Sequence, residues 1–199
     1  MITDFKIFES MEPTGWQIEY RSGVKPTSLK VYNYFKHLNR IPIQIRKLLT
    51  ENGARIIFFN GPLTDQPEAE NLKGIQARGW PEGRTYDKII GVRIGKDVFV
   101  GISGEFHHSK IYDALLHELG HVYDDIVGNK FYNTPLSHLP SMKTIIYKEP
   151  FRNHYFDDSY EYIANAFDLY YRSNQTRQYL EKHNPIIFGM LQYTEEQTL

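Results

Sequence analysis

His117-Glu118-Leu119-Gly120-His121-Val122-Tyr123-Asp124-Asp125-Ile126-Val127-Gly128 joins a helical pattern to a metal-ligand spacing. Leu115, Leu116, Leu119, Val122, Tyr123 and Ile126 recur at helical spacing, which predicts a helix over 110–127. Ser109 stands where it would cap that helix, with Asp113 in the first turn and Gly128 at the end. Residues four apart share one face of a helix, so His117 and His121 can present two imidazoles to one metal ion. Zinc takes imidazole and carboxylate ligands, and in catalytic sites it keeps one position for water. Glu118, one step from His117, can reach that water as a general base without being a ligand. Glycine inside a helix costs about 1 kcal/mol relative to alanine. The expectation for Gly120 is therefore a helix face kept thin beside the metal. The plain alternative is a solvated helix carrying two surface histidines.

Catalytic zinc sites commonly use three protein ligands. The pattern HExxHxxGxxH would supply a third histidine, but Asp124 and Val127 occupy its last two diagnostic positions. A carboxylate from a later helix is the remaining option. Residues 159–172 form a strongly amphipathic pattern, and Glu161 opens it in Tyr160-Glu161-Tyr162-Ile163-Ala164-Asn165-Ala166-Phe167. A carboxylate among aromatics on a core-facing helix needs a partner, and a zinc ion is one. The competing explanation is a first-turn Glu favoured by the helix dipole.

Outward from these two helices the chain predicts an α+β fold in one domain, with helices first, a small sheet in the middle and helices again. Residues 1–50 form an N-terminal helical part, with a short strand over 16–20 and helices over 28–38 and 43–49. Asn52-Gly53 ends the second helix. Residues 55–102 carry the sheet: a buried strand in Arg55-Ile56-Ile57-Phe58-Phe59-Asn60, a long Pro- and Gly-rich surface loop over 61–84, and strands over 87–94 and 96–102 joined by a hairpin at Gly95. Residues 109–199 hold the zinc-binding helices and a terminal helical pair over 174–182 and 185–193.

Composition narrows the classes. The chain has 199 residues, 41% hydrophobic and 24% charged, as in soluble globular proteins. Its 15 Tyr, 12 Phe and 2 Trp suit either a peptide-binding surface or a Tyr-rich core. A net charge of -1 and the lack of a long basic run give no footprint for nucleic acid. There are no cysteines, which excludes disulfides, thiolate ligands and Cys nucleophiles. No apolar run approaches the ~20 residues that span a bilayer. The first residues show no basic segment followed by an apolar one, so a cytoplasmic location is the default expectation. Secretion after removal of a leader, or by leaderless export, is the alternative.

The His117–Gly128 segment resembles the zinc helix of the anthrax lethal factor catalytic-domain family, which includes the small bacterial Pro-Pro endopeptidases. The shared features are HExGH, the Asp-Asp pair and the Gly three residues after it. Glu161–Phe167 is similar to the second zinc helix of that family. The resemblance implies a zincin-like metallopeptidase of the gluzincin type, with a small mixed sheet packed on the HExxH helix. His117, His121 and Glu161 would bind Zn2+, and Glu118 would be the general base. It also implies a tyrosine shortly before the third ligand that stabilises the oxyanion. The usual position, seven residues before Glu161, holds His154 here; Tyr155 is the favoured donor, with His154 and Tyr147 as alternatives. Asn165 stands where relatives commonly carry Glu. In zincins generally the substrate lies along the edge strand above the zinc helix, and residues 96–102 are the expected strand. Gly101 and Gly104 would let a peptide approach closely, or are ordinary strand-end turns.

Three further features have two readings each. His107-His108 could line the cleft or sit in solvent. One of Asp124 and Asp125 could hold a ligand imidazole while the other is merely solvated. Trp80 could anchor the long loop or wall the cleft. A peptide or protein substrate is the expected partner, and oligomeric state is not encoded in these patterns. Beside the endopeptidase stand two rivals. One is a catalytically silent, zinc-stabilised module that binds a peptide or protein, against which the intact Glu118 argues. The other is a metallopeptidase that cuts a regulatory protein inside the cell.

Overall fold

Arg55–Phe59 (β2) is apolar on both faces, as a strand covered on both sides should be, and four of its five residues are buried. It lies between two parallel neighbours. Ile18–Tyr20 (β1) pairs Ile18 with Ile56. Asp97–Gly101 (β4) pairs Val98 with Ile56. Gly91–Ile94 (β3) adds to β4 antiparallel, so the order is β1-β2-β4-β3. The hairpin turns at Gly95, whose φ of +62° is left-handed and suits glycine. The computed structural model describes residues 15–77, 82–102, 113–151 and 158–198.

A parallel pair needs a crossover. Between β1 and β2 this is built from helices Leu29–Leu38 (α1) and Ile43–Glu51 (α2). Ser28 caps α1 by accepting from the Val31 N–H at 3.3 Å. Ile56, Phe58, Val98 and Val100 face these helices and those that follow, and together they form the main core. Ile57, Phe59 and Phe99 alternate to the other face, as strand geometry requires.

That other face is where expectation and structure part. Residues 61–77, the described first part of the expected loop over 61–84, do not form a simple surface loop. Two 3-10 turns, Leu63–Asp65 and Pro67–Leu72, bring Leu63 and Ala69 onto Ile57, Phe59 and Phe99, and Ala77 beyond them joins the same second small core. Asp87 fastens this cover, accepting from Thr64 Oγ1 at 2.6 Å and the Gly74 N–H at 2.9 Å. Those bonds, the Thr64 hydroxyl first, hold its carboxyl down at about 2. The expected strand over 87–94 is accordingly shorter, because Tyr86–Lys88 coils as a 3-10 turn and β3 begins at Gly91.

The motif helix is Ala114–Tyr132 (α3), displaced from the expected 110–127 at both ends. Asp113 is its cap rather than part of its first turn. One carboxylate oxygen accepts from the Leu116 N–H at 2.9 Å, and the other meets His37 Nδ1 at 2.7 Å. Ser109 and Lys110 lie outside the described residues. Gly128 does not end α3; left-handed Asn133 does. A Cβ at Gly128 would stand 2.4 Å from the Leu136 nitrogen and 2.5 Å from the Thr134 oxygen. Gly128 thus lets the returning chain cross the helix.

Met142–Lys148 (α4), Ser159–Arg172 (α5), Asn174–His183 (α6) and Pro185–Glu196 (α7) complete the described chain. Asp158 caps α5, and a reciprocal Ser173–Thr176 box opens α6. The Glu149 carboxylate accepts from the Ile186 N–H at the start of α7, 2.9 Å away, where the helix dipole favours an anion.

Gly120 has a different role from the one expected. Its missing Cβ would sit 2.7 Å from Ala164 Cα and 2.9 Å from Ala164 O, so it brings α3 against α5 rather than thinning a face toward a metal. Gly120→Val is expected to destabilise by about 3 kcal/mol or more, because the obstacle is backbone that cannot rotate away. Gly189, inside α7 with no atom within 4 Å, is the control; there alanine should stabilise by roughly 0.5–1 kcal/mol. Urea unfolding of both variants measures the contrast, and equal effects would mean that the α3–α5 contact is loose.

Candidate active site

One turn of α3 separates His117 from His121, and both are buried at 4% exposure. Their rings stand edge to face, 4.8 Å between centroids. Glu161 comes from the first turn of α5, brought in by the Gly120–Ala164 contact. Its carboxylate lies 3.2 Å from His117 Nε2 and 3.8 Å from His121 Nε2. One ligand atom from each of the three residues falls within 4.8 Å of the others. Two buried imidazoles and a carboxylate converging this closely match the donor set that zinc accepts with three protein ligands, so the group could hold a metal ion. Burial alone would lower His117, yet the carboxylates of Glu161 and Glu118 outweigh it and hold the imidazole above its ordinary value. The surroundings favour positive charge at this point.

Glu118 is half-buried beside His117. Loss of water around it pushes its carboxyl up to about 7, while His117, the Arg93 main-chain N–H and the Arg93 charge pull the other way. A carboxylate poised near neutrality is suited to taking and returning a proton. Gly91 keeps β3 close to it, since a Cβ there would lie 3.0 Å from Ala114 Cβ and 3.5 Å from Glu118 Cγ.

The edge strand differs from expectation. Residues 97–101 form β4, which is interior to the sheet, and β3 is the edge beside α3. Strand order depends on long-range pairing, which alternation along one strand does not encode. Gly101 accordingly faces Phe59 and Ile90 and serves packing. The Gly101 N–H donates to Ile90 O at 2.7 Å. Hydrogen-bonded and non-hydrogen-bonded pairs alternate along an antiparallel ladder, so Gly91 and Arg93 turn their main-chain groups to the outer edge, where no strand pairs with β3 among the described residues.

Asp124 and Asp125 are both engaged away from the imidazole rings. Asp124 accepts from Ser137 N and Oγ at 2.7 and 2.6 Å, and Asp125 pairs with Arg93. Asn165 is buried and donates to the Glu161 carbonyl at 2.7 Å. Tyr147 sits on α4, 87% exposed. Tyr155, His154, His107, His108, Trp80 and Gly104 lie outside the described residues.

Two residues at the site escaped the sequence reading. Tyr160 stacks on His121 with centroids 3.8 Å apart and planes 14° from parallel. Arg93 reaches Tyr160 and the His121 carbonyl. The available signal for Arg93 was its position in Gly91-Val92-Arg93-Ile94. Val92 and Ile94 pack against the second core, so a charge on the alternate face needs a partner.

The family model "Anthrax toxin lethal factor, N- and C-terminal domain" matches residues 25–194. The chain belongs to this family. Among its relatives, a Pro-Pro endopeptidase of Paenibacillus alvei is 30% identical over 170 residues, covering 78% of this chain and 73% of the relative. A Pro-Pro endopeptidase of Clostridioides difficile is 32% identical over 152 residues, covering 72% of this chain and 66% of the relative. The solved structure of the Pro-Pro endopeptidase PPEP-2 from Paenibacillus alvei superposes with a TM-score of 0.73 at 27% identity, over 94% of this chain and 98% of that one. The α+β fold expected from the order of elements, and the zincin-like form that the resemblance implied, agree with that likeness. Among the described residues, no helix is long and apolar enough to cross a membrane.

Proposed function

We propose that this protein is a zinc-dependent endopeptidase in which His117, His121 and Glu161 hold the ion and Glu118 is the general base. The observation that carries the proposal is the convergence of two buried imidazoles and the Glu161 carboxylate beside the half-buried Glu118. Zinc, when bound, supplies Lewis acidity that activates water and polarises a peptide carbonyl. Glu118 accepts the proton of the attacking water and returns it to the leaving amine. The substrate lies extended along the outer edge of β3, pairing with the main chain of Gly91 and with the Arg93 carbonyl, the Arg93 N–H being turned to Glu118. Tyr155 remains the proposed oxyanion donor, by analogy with the family. The relatives' name makes a peptide with a central Pro–Pro bond the first substrate to try. Proline has no N–H to give a strand partner, which fits an edge of only four residues.

Elemental analysis of the purified protein and of His117→Ala, combined with cleavage of a Pro–Pro peptide set, tests the reading. About one zinc per chain is expected, lost in the variant, together with cleavage by the wild type. No zinc after metal is added back would overturn the metal site. Bound zinc without cleavage across a broad peptide library would favour the silent binding module.

A further inference from the structure

Arg93 leaves the edge strand on the helix-facing side and is largely buried, 16% exposed. Its guanidinium serves four acceptors on three elements. Nη1 donates to the His121 carbonyl at 3.0 Å and to the Tyr160 hydroxyl at 2.7 Å. Nη2 pairs with Asp125, one turn beyond His121, and Nε donates to Gly95 O at 2.5 Å within its own hairpin. A planar fork with fixed donor directions constrains its partners more than a flexible ammonium would. The contacts converge on the histidine and carboxylate that the site would use. The His121 backbone is held directly. The His121 ring is covered by Tyr160, and Tyr160 immediately precedes Glu161. One side chain therefore indexes His121 on α3 and the first turn of α5 against each other.

We propose that Arg93 is a positioning residue that, through Asp125 and Tyr160, holds His121 and Glu161 in register for the metal and ties that register to the edge strand. This rests on the metal-site reading above. The same residue turns its main-chain carbonyl to the outer edge of β3, which no other described strand pairs. A peptide strand docking there pairs with the backbone whose side chain sets the ligands, so strand docking and ligand geometry share one residue.

The test compares wild type with Arg93→Met, Arg93→Lys, Tyr160→Phe and a control, Arg55→Met. Arg55 makes a similar ion pair with Asp97 on the same sheet, 2.5 Å apart, with no contact to His121 or Tyr160. Zinc release to a competing chelator is followed without substrate, and kcat and KM are measured separately. Residues that orient metal ligands typically contribute 10–100-fold to metal affinity or activity. Arg93→Met is therefore expected to release zinc about 10–100-fold faster and to lose a similar factor in kcat, with KM within about threefold. Arg93→Lys should recover part of both losses, because an ammonium can still reach one acceptor. Tyr160→Phe should keep the stack, lose the Arg93 bond and fall between. Arg55→Met should release zinc at the wild-type rate. Wild-type release from Arg93→Met would overturn the proposal and leave Arg93 as a brace of the fold. If Arg93→Met does not fold, Arg93→Lys and Tyr160→Phe decide, and wild-type release from both overturns the proposal. A wild type that binds no zinc would remove the metal site itself, a failure distinct from that of Arg93.

Discussion

Glu118→Gln is expected to lower kcat by about 10²–10⁴, the range general acid–base catalysis contributes, while zinc stays at wild-type stoichiometry. Glutamine keeps the length and volume of the side chain, and its carbonyl oxygen can still accept the Arg93 N–H. It cannot take the proton of the attacking water. His117, His121 and Glu161 are untouched, so binding of the ion survives. The same substitution has a stability signature in the zinc-free protein. Burial raises the folded-state Glu118 carboxyl from 4.5 to about 7, so between those values the folded chain holds a proton that the unfolded chain has released. Wild-type stability then falls as pH rises through that window. The Gln variant lacks this term and should gain on wild type between pH 4.5 and about 7. Urea unfolding at pH 5 and pH 8, alongside turnover and zinc content, measures all three effects. Turnover within tenfold of wild type would remove Glu118 from the role of base.

Local patterns carried much of the fold because they are set by neighbours in sequence. The helix over 159–172 matches α5 residue for residue, since a strong apolar stripe is a local signal. Arg55–Phe59 was legible for the same reason, as an unbroken β-rich run between turns. What stayed hidden depends on the chain's return from afar. The roles of Gly120 and Gly128 follow from Ala164 and from residues 134–136, and nothing beside either glycine announces those partners. Strand order likewise has no local signature, so β3 and β4 exchanged roles between expectation and structure. Residues 61–84 read as loop because their few apolar side chains have no period, yet Leu63, Ala69 and Ala77 suffice to cover one face of a small sheet.

The candidate site divides the same way. His117 and His121 are four apart on one helix, so their meeting is a property of the helix. Glu161 needed chemistry as well as spacing, as a carboxylate among aromatics that lacked a partner. Arg93 and Tyr160 are joined only by the fold, one on the edge strand and the other on a helix 67 residues later. One of Asp124 and Asp125 was expected to hold a ligand imidazole; neither does so directly, and Asp125 instead reaches Arg93, which holds the backbone of His121.

Glu161→Ala should have the second large effect, loss of tight zinc binding and of activity with it. Losing a residue that merely orients a ligand costs about 10–100-fold in metal affinity, so losing the ligand should cost more than about 100-fold. A binding ion stabilises the native state by RT ln(1 + [L]/Kd), about 4.1 kcal/mol at a thousandfold excess over Kd. For a chain of this size that raises Tm by roughly 8–16 °C. A hundredfold weaker variant at the same zinc concentration keeps only about 1.4 kcal/mol, or roughly 3–6 °C. Thermal unfolding with and without zinc therefore reads the ligand without any substrate. A second readout comes from His117. Glu161 leads the interactions that hold its imidazole up against burial, so in the zinc-free variant burial should dominate and the imidazole should titrate lower than in wild type, visible by NMR. A variant with the lowered imidazole but an undiminished zinc shift would show that Glu161 packs against the histidines without serving the metal, and the third ligand would have to come from another segment. Only loss of both together is what a shared ion between α3 and α5 requires.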